Sequence, residues 1–266
     1  MLGLFFIVLV VALAVFLTLT RRKKERVKLP DLKIVSGILQ RRVAYYNRLP
    51  APEQIRFQKE VAEFLRLVKV TGIGTTVTDE DRVLVAASGI IPIFAFPGWK
   101  YPNLNEVLLY PDTFSREFEF DTDPEDRNVL GMVGNGGMDN MMILSKPSLH
   151  HGFNSINHTS NTAIHEFVHL VDKADGVIDG IPSWLIDKEN AMPWLHLIHK
   201  NIQAIRENNS DINPYGATNE SEFFAVASEY FFSTPLLFKE RHPELYEMLE
   251  KIFRQDPGQL AIGNRE

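Results

Sequence analysis

The first twenty residues, MLGLFFIVLVVALAVFLTLT, contain no charged side chain. As a helix rising ~1.5 Å per residue they would span ~30 Å, the thickness of a bilayer's hydrocarbon core. A helix that is apolar on every side has no face to give to water, so this segment constrains the chain to an anchor and a separate body. RRKKERVK follows at once, with six basic residues against one acidic. The net charge of −6 therefore becomes −11 for the body from Leu29 onward. A cleaved signal peptide carries its positive charge before the apolar run and small residues at the exit. Here the charge comes after the run and the exit is Thr-Arg-Arg. Basic residues beyond the span place the body in the cytoplasm. The expected division is a transmembrane anchor over 1–20, a basic juxtamembrane linker over 21–31, one folded domain over 32–258 and a tail over 259–266. The acidic balance gives no reason to expect a nucleic-acid partner.

Within the body, PEQIRFQKEVAEFLRLVKV sets Ile55, Val61, Phe64, Leu65 and Val68 near helical spacing, with Pro52 just inside the start. TVTDEDRVLVAASGIIPIFAF offers Thr78 as an N-cap, acids in the first turn and a long apolar run that Pro92 kinks or ends. EVLLYP and NMMILS are short apolar runs that read as buried strands. The glycine-rich GMVGNGGMDN between them lacks the Gly-Lys-Ser/Thr ending of a phosphate loop and reads as a turn between two strands. Beyond residue 159 the chain reads as helices over TSNTAIHEFVHLVDKADG, PWLHLIHKNIQAIRENN, TNESEFFAVASEYFF and PLLFKERHPELYEMLEKIF. The expected class is α+β, mainly helical with a small sheet.

The chain has no cysteine, so a tight metal site must be built from His, Asp and Glu. HEFVH at 165–169 supplies a start. In a helix, residues i and i+4 project from one face, so His165 and His169 can grip one ion from one side. Glu166 stands about 100° further round, where a glutamate can take the proton of an attacking water without ligating the metal. Asn157, Thr159 or Ser160 can cap this helix, and Gly176 or a neighbour can end it after Asp175. A catalytic zinc takes three protein ligands and keeps one position open. Glu220, Glu222 and Glu229 lie on a predicted helix rich in phenylalanine, and Glu222 and Glu229 share a face at a spacing of seven. Glu220 suits the helix start. Spacing alone leaves Glu222 and Glu229 level as the third ligand.

HEFVHLVDKADG followed by YGATNESEFFAVASEYFF resembles the Mlc titration factor A family of zinc-dependent peptidases, with support from TVTDEDRVLVAA, VLLYPDTF, MMILS and RQDP. The resemblance runs from about residue 38 to about 258 and implies a zincin-like metallopeptidase domain holding one Zn2+. It implies His165, His169 and Glu222 as ligands, Glu166 as catalytic base and Tyr215 as a tyrosine near the active site, where a phenol could donate to an oxyanion. Glu229 and Asp172 then become candidates to hold a histidine's other ring nitrogen or the site's walls. Two departures stand out. GMVGNGG puts Gly134 where some members carry a further histidine able to block the zinc, while His150 and His151 read as loop residues or as a second approach to the metal. The anchor is the other, because better-known members are soluble. The expected function is a membrane-anchored, cytoplasm-facing zinc metallopeptidase acting on peptides or proteins, aminopeptidase-like. The alternative is a zinc-containing binding protein that sequesters a transcriptional regulator.

Overall fold

Residues 29–112, 131–133, 140–154 and 159–262 are described by the structure, a computed structural model. The expected anchor, the basic residues up to 28, Gly134, Asn157 and the last four residues lie outside these. Among the described residues no helix is long and apolar enough to cross a membrane.

Helices α1 (Leu32–Arg42), α2 (Ala44–Arg48) and α3 (Ala51–Leu67) open the body. In α3, Pro52 sits in the first turn, where its missing N–H costs nothing. Phe57, Val61, Phe64 and Leu65 face the core, whereas Ile55, expected among them, faces solvent. The chain then forms strand β1 (Lys69–Gly72) before α4 (Asp79–Ile93). Thr78 and Asp81 make a reciprocal capping box at the start of α4, and the helix stops one residue beyond Pro92.

Among the described residues four strands make the sheet, in the order β1, β2 (Glu106–Tyr110), β4 (Met141–Ser145), β3 (Gly131–Val133). β1, β2 and β4 are parallel, and β3 runs antiparallel along β4 at the edge. The two strands expected from apolar runs are β2 and β4. The other two correct the sequence reading. β1 takes residues that helical spacing assigned to the end of α3, because pairing of Val70 with Val107 in the ladder outweighs local periodicity. β3 takes the first three residues of the stretch read as a turn, because β4 offers them a partner.

α5 (Lys146–Asn154) follows β4 directly and carries His150 and His151, so these lie on a helix and not in a loop. Then comes α6 (Thr162–Asp172), a 3-10 turn over Lys173–Asp175 and Gly176 in the left-handed conformation. α7 (Lys188–Arg206) begins before Pro193, which gives up one hydrogen bond inside it. α8 (Glu220–Ser233) is followed by α9 (Pro235–Arg241) and α10 (Pro243–Phe253), one helix in the sequence reading. They separate because Pro243 lacks an N–H and disfavours helical geometry at His242. α11 (Pro257–Ile262) closes the described chain.

α6 lies between α4 and α8 and also meets β3. Its residues from Ala163 to Asp172 are all buried, including His165, Glu166, His169 and Asp172. Phe167 packs edge-on against Phe64 and tilted against Tyr101. Four ionisable side chains in the most buried helix are expensive unless something compensates them.

Candidate metal centre

Asn161 is the N-cap of α6, one residue beyond the caps named from sequence; its side chain accepts from the Ile164 amide at 3.1 Å. This fixes the start of the helix and hence the face on which His165 and His169 stand. α8 is fixed in the same way. Asn219 accepts from the Glu222 amide at 2.9 Å, which makes Glu222 the third helical residue. A glutamate there commonly turns back to complete a capping box. Here its carboxylate instead reaches across to α6.

The structure brings His165, His169 and Glu222 together. Nε2 of His165 lies 3.0 Å from Glu222 Oε2 and 3.1 Å from His169 Nε2, and His169 Nε2 lies 3.3 Å from Glu222 Oε2. A tetrahedral ion with bonds of ~2.0–2.1 Å would separate adjacent donors by ~3.3 Å, so these three atoms fit one face of such a site. The three residues fit a metal ion.

Glu229 approaches His165 from the other side of the ring, with Oε1 2.7 Å from Nδ1. Its Oε2 accepts from the Asn161 amide at 2.5 Å and from the Ser160 hydroxyl at 3.0 Å. Glu229 thus ties the start of α6 to the ring and holds the Nδ1 proton. That makes Nε2 the nitrogen facing Glu222 and His169, the one that must give up its proton to ligate a metal. Sequence spacing could not tell Glu222 from Glu229; the geometry puts one on each side of the same imidazole. Without a metal, burial pushes the His165 pKa down, but the hydrogen bonds of Glu222 and Glu229 outweigh it and raise it to about 10. Glu222 itself is held well below the usual carboxylate range: burial opposes this, and the two histidines prevail.

Glu166 is 6% exposed. Burial raises its pKa, the nearby histidines pull it down, and Glu222 and Glu229 raise it further. Tyr215 sits in the 3-10 turn Pro214–Ala217, which Asn213 caps by accepting from the Tyr215 amide. Its ring centre is 5.9 Å from that of His165 and the residue is 54% exposed, so it stands at the site's outer side.

Asp172 is buried and holds the Gly180 amide at 2.8 Å. It secures the loop after α6, and the histidine nitrogen expected of Asp172 or Glu229 is held by Glu229. Burial raises the Asp172 pKa to about 7. His150 bonds Asp81 at 2.6 Å, and neither it nor His151 joins the group around the histidine pair. Asn161 and Ser160 escaped the sequence reading as parts of the site because their role depends on a carboxylate almost seventy positions away.

A family model described as glucose-regulated metallo-peptidase M90 matches residues 17–254. An uncharacterized protein of Synechocystis is 27% identical over 89% of this chain and 89% of its own. Mlc titration factor A of Salmonella arizonae is 32% identical over 79% of this chain and 87% of its own, and that of Klebsiella pneumoniae is 30% identical over 79% and 82%.

Proposed function

Since the chain belongs to the M90 family of metallopeptidases, we propose that it is a membrane-anchored zinc peptidase whose body faces the cytoplasm. The observation that carries this reading is the triangle of His165 Nε2, His169 Nε2 and Glu222 Oε2, with edges of 3.0, 3.1 and 3.3 Å. Zinc is the expected ion because the donors are two imidazoles and one carboxylate, a set met in catalytic zinc sites. Bound there, it supplies a Lewis acid that polarises the substrate carbonyl and makes water nucleophilic at neutral pH.

The protein's own residues supply the rest. Glu222 and the two histidines hold the ion, and Glu229 keeps the Nδ1 proton of His165 away from it. Glu166 takes the proton of the attacking water and passes it to the leaving amine. Its raised pKa brings it nearer to working pH, where such transfers are most efficient. Because it must be ionised to accept, activity is expected to fall on acidification. The Tyr215 phenol, at the outer side of the site, donates to the oxygen of the tetrahedral adduct.

The substrates are peptides or proteins, cleaved in an aminopeptidase-like manner. Digestion of a peptide library by wild type and Glu166→Gln tests this. The variant is expected to keep its metal and lose about 10²–10⁴-fold in rate. Cleavage confined to free N-termini supports aminopeptidase action, and internal cleavage of blocked peptides contradicts it. The anchor is tested separately: full-length protein is expected in the membrane fraction after alkaline extraction, and residues 29–266 in the supernatant.

A second reading is favoured by the name of the relatives called Mlc titration factor A: the chain titrates a regulatory protein partner without cleaving it. Partner capture that persists in Glu166→Gln and after metal removal, with no hydrolysis by wild type, would select it.

A further inference from the structure

We propose that Gly131 is a positioning residue for Glu166: the bare Cα at the start of β3 is the surface on which the Glu166 side chain rests. The proposal builds on the reading of Glu166 as proton acceptor. A Cβ placed on Gly131 would lie 2.6 Å from Glu166 Cγ, 2.7 Å from Oε1 and 2.9 Å from Cδ. Carbon atoms in contact sit ~3.5–4.0 Å apart, so alanine at this position and Glu166 in its present position exclude one another. The collision begins at Cγ, so turning the carboxylate alone gives no relief. With α6 packed against α4 and α8, relief comes from the whole Glu166 side chain swinging away or from β3 lifting off it, and either separates the carboxylate from its present support.

The usual reason for a glycine is absent. Gly74, Gly98, Gly176 and Gly180 have positive φ; Gly131 does not, and it pairs with Leu144 in a regular antiparallel ladder. An alanine would suit that backbone, and what it would lose is the approach of Glu166. The pairing with β4 fixes the height of Gly131 against α6, so an edge strand of three residues sets where the carboxylate of the base comes to lie. The metal donors are held by α8, Glu229 and the cap of α6, none of which involves Gly131.

The test is Gly131→Ala in the full-length protein. Expected are an unchanged metal content, a KM within about threefold of wild type and a kcat about 10²-fold lower, the cost of a displaced catalytic group. An unchanged kcat, or loss of the metal, would overturn the proposal. Thermal unfolding gives a readout that needs no activity. Gly131→Ala is expected to lower the midpoint by about 5 °C beside Glu166, and by less than about 1 °C in a Glu166→Ala background. Equal losses in both backgrounds would show that the alanine clashes with something else and would sink the idea. If wild type cleaves no peptide, the proposed function fails, while the unfolding comparison still decides the contact.

Discussion

Glu229 stands behind His165, on the side of the ring away from the proposed metal site. It bonds His165 Nδ1, the Asn161 amide and the Ser160 hydroxyl, so its loss frees the ring and the start of α6 together. Glu229→Ala is expected to weaken metal binding about 10–100-fold, measured by competition with a chromophoric chelator. Protons compete with the metal for the same ring. The metal-free His165 has a pKa of about 10, above the reference 6.5. Its protonated form therefore adds stability that is complete below pH 6.5 and lost as the pH rises toward 10. Metal binding must displace that proton, so affinity is expected to fall about tenfold per pH unit below pH 10. A pH-independent affinity would contradict the assignment. The histidine pair and Glu166 were legible in the sequence because one helix carries them all. The division of work between Glu222 and Glu229 was not, because it depends on how α8 crosses α6.

At the scale of elements, the site rests on the close crossing of α4 and α6. Gly89 allows it: a Cβ there would lie 2.9 Å from ring atoms of both Phe64 and Phe167, and the Gly89 carbonyl accepts from Tyr101 at 2.7 Å. Gly89→Val is expected to cost about 2 kcal/mol or more through overpacking, read as a lower unfolding midpoint with some loss of metal. The helices around this crossing were legible from periodicity and caps, Thr78 most clearly. β1 and β3 were not, since a strand of three or four residues exists only through its partners. Asn161 was missed for a related reason: several polar residues precede α6, and tertiary bonds to Gly152 and Glu229 select among them.

Taken whole, the molecule concentrates its cost in one place. Buried carboxylates on α6 and α8 meet two imidazoles in a core of phenylalanine, and without a cation the acids exceed what the histidines can neutralise. A divalent ion resolves that imbalance, which is why the absence of cysteine and the position of Glu222 belong to one account. The most direct test is the metal content of the purified protein, its Glu166→Gln variant and its Glu222→Ala variant after dialysis. About one zinc per chain is expected in the first two and close to none in the third. Zinc retained at full occupancy by Glu222→Ala, or missing from the wild type, would contradict it.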